Sequence, residues 1–261
     1  MKFACTSQSY NRALSSGKID LKKWLDISKR ELHLDGIEIE DKHLLNTDRE
    51  YLGTLQRLVA DNRLVISNIA FYNNFGLESK DGRDKEFTRF EKYLFVSKFL
   101  GLRIMRIFAG WPGSNDPQLW KEMIIYLKRC CKLASEAGIV LVVENHNHGG
   151  FIKSSADVTR VFQEVGSKNL KLLLDTGNYI DGIVSIEKTI ALSGHIHAKI
   201  KNLDEQGNEK TIDYREIFVL CKRVNYQGFM SVEYEGEEDE FTAVPRGLNR
   251  LREILQEVYS V

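Results

Sequence analysis

Proline and cysteine are scarce in this chain, and neither sign of charge prevails. Three prolines in 261 residues, with no Pro/Ser-rich linker, low-complexity tract or shift in composition, leave no evident domain boundary. Residues 1–261 therefore read as a single domain. The four cysteines, Cys5, Cys130, Cys131 and Cys221, lie in apolar or helical runs without metal-type spacing, so all four read as reduced and structural. Lys plus Arg and Asp plus Glu both number 37, so no overall positive field exists to attract DNA or an anionic membrane, and neither is an expected partner. No run of about 18 apolar residues occurs, and the opening MKFACTSQSY turns polar at once without the apolar stretch of a signal peptide, so the expected location is cytoplasmic. The turn after the first apolar run, SQSYNRALSSG, carries neither glycine-rich phosphate signature, which removes the best support for a nucleotide-binding sheet.

What is present is alternation. With 43% hydrophobic and 28% charged residues the chain can bury a large core, and disorder is not expected. Short β-like runs at residues 3–6, 36–40, 64–69, 103–108, 139–144, 171–175, 195–200 and 230–233 are each followed by an amphipathic stretch. The stretches are 21–32, 49–62, 85–100, 117–137, 155–165, 186–192, 214–224 and 240–258. Asp116 before Pro117 predicts a helix start, Ser154 or Ser155 a second, and Gly101, Gly138 and Gly166 predict helix ends. An open doubly wound sheet usually stops at five or six strands, whereas eight βα units in roughly 250 residues close into a barrel. The expected fold is α/β, a single (β/α)8 TIM barrel.

Four ligand-type residues stand at the ends of successive predicted strands: Glu144, Asp175, His197 and Glu233. They recur about every 30 residues, close to one βα repeat, so each strand brings one side chain to the same rim. Period-two alternation predicts that Val142 with Glu144, Leu173 with Asp175, His195 with His197, and Ser231 with Glu233 all face the barrel axis. Three carboxylates and an imidazole crowded at an apolar mouth repel one another unless a cation sits among them. The expected cofactor is one divalent metal ion, with Mn2+, Mg2+ or Co2+ suited to the oxygen-rich set and Zn2+ also acceptable.

The runs GIEIEDKH, RIFAGW, VVENHNHGG, NLKLLLDTGN, HIHAK and SVEYEG, spread over nearly the whole chain, resemble the xylose isomerase-like barrel superfamily. That superfamily contains sugar-phosphate isomerases and epimerases, ketose 3-epimerases, inosose-processing enzymes and endonuclease IV. The resemblance implies the same four ligands, and it implies that Glu144 and Glu233 also act as opposed proton-transfer groups on the two faces of the substrate. It places Asn178 at a substrate-contacting position of the aspartate run and His43 at a frequent functional position after strand two.

Other candidates come from the residues themselves. Lys199 shares a strand face with His197 and could stabilise an oxyanion. His146 follows Glu144 by two residues and could bind a hydroxyl. Trp111 offers a flat wall to a sugar's carbon face. Arg106 either faces the mouth or forms a buried ion pair. Glu38 is read as an inward structural acid, Asn73 and Asn74 as rim or turn residues, His148 as loop surface, and the acidic run 235–240 as a loop over the mouth or a helix start. The expected activity is isomerisation or epimerisation of a small sugar, sugar phosphate or related polyhydroxy ketone through an enediolate. The alternatives are a lyase resembling inosose or dehydroshikimate dehydratases, a nuclease resembling endonuclease IV, disfavoured because SNIAFYNNFG after strand three lacks histidine, and a non-catalytic barrel. The loops after strands seven and eight lack a glycine-rich phosphate site, which leans toward an unphosphorylated substrate. A homo-oligomer is compatible with the sequence.

Overall fold

A computed structural model describes residues 1–260. Eight parallel strands pair in chain order and close, the first against the last. They are β1 (Lys2–Thr6), β2 (Gly36–Glu40), β3 (Val65–Ala70), β4 (Ile104–Phe108), β5 (Val140–Glu144), β6 (Leu170–Asp175), β7 (Ser193–Ile200) and β8 (Phe229–Tyr234). The helices among the described residues are α1 (Asn11–Ser15), α2 (Leu21–Arg30), α3 (Arg49–Asp61), α4 (Lys80–Phe99), α5 (Pro117–Ala137), α6 (Ser155–Val165), α7 (Ile183–Thr189), α8 (Tyr214–Arg223) and α9 (Glu240–Ser260). The fold is a (β/α)8 TIM barrel, as the alternation implied. No helix among the described residues is long and apolar enough to cross a membrane.

The helix signals act as expected. The Asp116 carboxylate accepts from the Gln118 amide with Pro117 in the first turn, Ser154 and Asp157 form a reciprocal capping box, and Gly138 and Gly166 end α5 and α6 in the left-handed region. Two expectations need correcting. Helix α4 begins at Lys80 rather than residue 85, because Ser79 accepts from the Gly82 amide and starts the helix a turn earlier. Residues 7–15, read as a turn, form a 3-10 turn and the short α1.

The apolar core lies between strands and helices, where outward strand residues such as Ile37, Ile69, Ile107, Val143, Leu172 and Ile196 meet the helix faces. The barrel interior differs. Val142 and Leu173 are buried there, but so are Glu38, Asn68, Arg106, His195 and Ser231, all within 3% of full burial. His195 reaches across to Glu38 and also meets Ser231, while His197 reaches Glu38, so the predicted parity of these residues holds. The interior is a hydrogen-bonded polar column leading up to the strand C-termini.

Candidate metal centre

Strand register sets the rim. Asp175 pairs with His197 across β6 and β7, and Lys199 pairs with Glu233 across β7 and β8. Glu144 ends β5, one strand further round. Each of Glu144, Asp175, His197 and Glu233 offers one ligand atom, and these atoms lie within 4.8 Å of one another with all four residues buried. His197 Nδ1 is 3.3 Å from Glu233 Oε2 and 3.8 Å from Asp175 Oδ2.

His197 Nδ1 and Asn178 Oδ1 are buried without a hydrogen-bond partner, whereas Asp175 Oδ2 and Glu233 Oε2 are met by the Lys199 ammonium. A buried polar atom without a partner carries a desolvation cost of about 1–3 kcal/mol, so His197 Nδ1 and Asn178 Oδ1 each call for one. Two carboxylate oxygens and an imidazole nitrogen that face one point are donors suited to a metal cation. The donor set, three acids and one imidazole, is that of a hard divalent ion with positions left for substrate oxygens. Around it the buried acids Glu38, Glu40, Glu144, Asp175 and Glu233 outnumber the buried cationic side chains Arg106 and Lys199, a ligating His197 being neutral, and the charge difference favours a divalent cation. The residues therefore fit a metal ion.

Local electrostatics divide the acids. Burial pushes Glu144 up to about 7, against the pull of Arg106 and His197. Burial also raises Asp175, with Lys199 opposing. Burial acts in the same direction on Glu233, but Lys199 and His197 prevail and hold it well below the ordinary carboxylate value. His197, which burial alone would lower, is held well above the usual imidazole value by Glu38 and Glu233. Lys199 Nζ lies 3.1 Å from Asp175 Oδ2 and 3.0 Å from Glu235 Oε2 and contacts Glu233 Oε2. Gly177 makes room for it, since a Cβ there would lie 2.6 Å from Lys199 Cγ.

The remaining predicted residues divide into two groups. Asn178 Nδ2 donates to Glu144 Oε1 at 3.4 Å. His146 packs edge-on against Phe108 and Trp111, and burial lowers it to about 4, so it is neutral near pH 7 with its Nδ1 unpartnered. Trp111 stacks on Tyr72, the ring centroids 5.1 Å apart. Tyr72, Phe108, Trp111 and His146 form a wall of rings on the β3, β4 and β5 side. Arg106 and His43 are engaged internally. Of the two alternatives for Arg106, the structure has the buried ion pair, with Nη1 donating to Glu144 Oε2 and Nη2 to Glu40 Oε1. His43 Nδ1 meets Ser7 Oγ at 2.8 Å and Nε2 meets Asn11 Oδ1 at 3.2 Å. Of the acidic run, residues 235–239 form a loop in which Glu235 meets Lys199, and only Glu240 opens α9, where it pairs with Arg12 and accepts from the Ala13 amide.

Sequence reasoning named Asn73 only as a rim or turn residue and missed Asn145 and Asn68, the other asparagines that lock the strand ends. Asn145 pairs both ways with the Asp175 backbone at 2.8 and 3.0 Å, and Asn73 does the same with Phe108 at 2.8 and 2.9 Å. Asn68 accepts from the Arg106 amide at 2.8 Å. In each case a side-chain amide continues the strand's hydrogen-bond pattern beneath a rim residue. The signal available was an Asn directly after Glu144.

Comparison with known proteins places the fold in a family. The chain is 23% identical over 217 residues to a putative hydroxypyruvate isomerase of Danio rerio, covering 76% of this chain and 79% of that protein. It is 26% identical over 232 residues to a D-psicose 3-epimerase of Enterocloster bolteae, covering 80% and 75%. A solved structure of a probable 3-DHS dehydratase from Bacillus anthracis superposes with a TM-score of 0.79 at 20% identity, over 97% of this chain and 99% of that one. The family description "Xylose isomerase-like TIM barrel" matches residues 30–254, and the chain belongs to that family.

Proposed function

We propose that this protein is a divalent-metal-dependent isomerase or epimerase of a small sugar or related polyhydroxy ketone, with Glu144, Asp175, His197 and Glu233 as metal ligands. The observation that carries the reading is the convergence of buried ligand atoms of Glu144, Asp175, His197 and Glu233 within 4.8 Å of one another, with His197 Nδ1 unpartnered. A divalent ion held there supplies Lewis-acid stabilisation of the negative charge that develops on substrate oxygens.

The residues do the proton chemistry. Glu144 and Glu233 come from β5 and β8, so a substrate lying over the mouth has a carboxylate on either side. One takes the proton from the carbon beside the carbonyl. Return by the same group to the neighbouring, former carbonyl carbon isomerises, and delivery to the first carbon from the opposite side inverts it. Lys199 donates to the oxygen that becomes anionic. Asn178 and His146 hydrogen-bond substrate hydroxyls, and Trp111 faces the carbon skeleton. Arg106 and His43, whose donors are engaged by Glu40, Glu144, Ser7 and Asn11, act by holding neighbouring groups.

Incubating the protein with Mn2+ and a panel of ketoses in D2O tests this reading. Deuterium should enter at a substrate carbon, and its absence across the panel sinks the proton-exchange mechanism. A second reading, a dehydratase, is favoured by the 3-DHS dehydratase likeness, since the same anion can expel a β-hydroxyl. Loss of water with a new ultraviolet absorbance would select it.

A further inference from the structure

The carboxylate of Glu38 lies beneath the rim, fully buried in the barrel interior. Its Oε1 is 2.8 Å from His197 Nε2 and accepts from Asn68 Nδ2 at 3.2 Å, while its Oε2 is 2.9 Å from His195 Nε2. His195 Nε2 is also 2.8 Å from Ser231 Oγ. One acid on β2 thus engages both histidines of the β7 run. The three residues also satisfy the geometry of a cation site in their own right, so two readings compete.

Proton accounting decides between them. An ionised carboxylate only accepts, so each imidazole facing Glu38 presents an N–H from Nε2. A neutral imidazole with its proton on Nε2 has one lone pair, on Nδ1. For His197 that nitrogen is the one turned toward Asp175 and Glu233. A second cation at Glu38 would require the Nε2 lone pair as well, which makes His197 an imidazolate; the hydrogen-bond reading needs no such species.

We propose that Glu38 is the positioning residue of the metal centre, fixing the His197 ring and its Nε2 proton so that Nδ1 is the donor, with His195 and Asn68 holding Glu38 in place. This rests on the metal-binding reading given above. A carboxylate behind a ligating histidine also raises the basicity of the ligand, and loss of such a partner weakens metal binding by about 10–100-fold.

The test compares wild type, Glu38→Gln and Ser231→Ala. Glutamine keeps the volume of Glu38 but can accept through only one oxygen, so it cannot serve both imidazoles. Ser231→Ala disturbs the same column without touching the Glu38–His197 bond. Mn2+ affinity, read from the paramagnetic resonance of the free ion, should weaken by about 10–100-fold in Glu38→Gln and stay within about threefold in Ser231→Ala. In the Zn2+-loaded wild type, 15N spectra should show His197 protonated at Nε2 and bound through Nδ1. Equal affinity in wild type and Glu38→Gln overturns the proposal, as does an equal loss in both variants, which would mark a general packing effect. If the wild type takes up no Mn2+, the functional reading fails on its own. The ring-proton signals of the metal-free protein then still decide whether Glu38 holds a proton on Nε2, and a His197 unprotonated there overturns the assignment.

Discussion

Arg106 Nη1 donates to Glu144 Oε2 at 2.6 Å inside the barrel, and both side chains are at least 97% buried. The second arm of the guanidinium holds Glu40 at 3.1 Å, so one cation serves two acids out of contact with water. Removing one member of such a set leaves the others uncompensated, which costs about 3–5 kcal/mol. Arg106→Met is expected to lose that much stability in urea unfolding. Adding Glu40→Gln to it should recover part of the loss, because one stranded charge is then gone.

Metal binding should be visible as stability. A ligand at 100 times its Kd that binds only the folded state stabilises by about 2.7 kcal/mol. Mn2+ is therefore expected to raise the melting temperature of the wild type by several degrees, with one ion bound per chain by metal analysis. Asp175→Asn, which loses a buried donor oxygen 3.8 Å from His197 Nδ1, should abolish the shift. An unchanged Mn2+ response in Asp175→Asn would remove Asp175 from the ligand set.

How much of this centre was readable in the sequence follows from how local each signal is. The strands were legible because each is a short apolar-rich run followed by an amphipathic stretch, and the four ligands were legible because they repeat with the βα unit. Helix α1 was not, since residues 11–15 bury only Ala13 and carry no helical periodicity. The inward direction of Glu38 could be read from parity, but its partners His195 and His197 lie 157 and 159 residues away, and no local pattern joins them. The same applies to Arg106, for which two roles remained open until β2 and β5 were placed on either side of it.

His43 gives a prediction with a definite sign. Burial lowers it from 6.5 to about 4, so the folded protein keeps it neutral while the unfolded chain protonates near 6.5. Below pH 6.5 the unfolded state binds a proton that the folded state refuses, so this contribution is complete above pH 6.5 and is lost as pH falls toward 4. Between pH 7 and pH 5 the loss is about 2 kcal/mol. Unfolding free energies at the two pH values should differ by about that much more in wild type than in His43→Gln. Parallel pH profiles for the two proteins would remove His43 as the cause.

The loops that carry Trp111 are pinned by a contact that admits no side chain. Asn74 Oδ1 accepts from the amides of Gly76 and Trp111, both at 2.8 Å, and so ties the loop after β3 to the loop after β4. Gly110 lies against this knot with φ at +108°, and a Cβ there would come within 2.4 Å of Asn74 Oδ1 and 2.6 Å of the Phe75 nitrogen. Gly110→Ala must both strain the backbone and part the two loops, at a cost of about 1–3 kcal/mol. Gly53, in the middle of α3 with open space around it, provides the opposite case. There alanine meets nothing and improves the helix by about 0.8–1 kcal/mol. Urea unfolding of the two variants should move in opposite directions from wild type, and a Gly110→Ala protein as stable as its parent would show that Asn74 does not tie the two loops together.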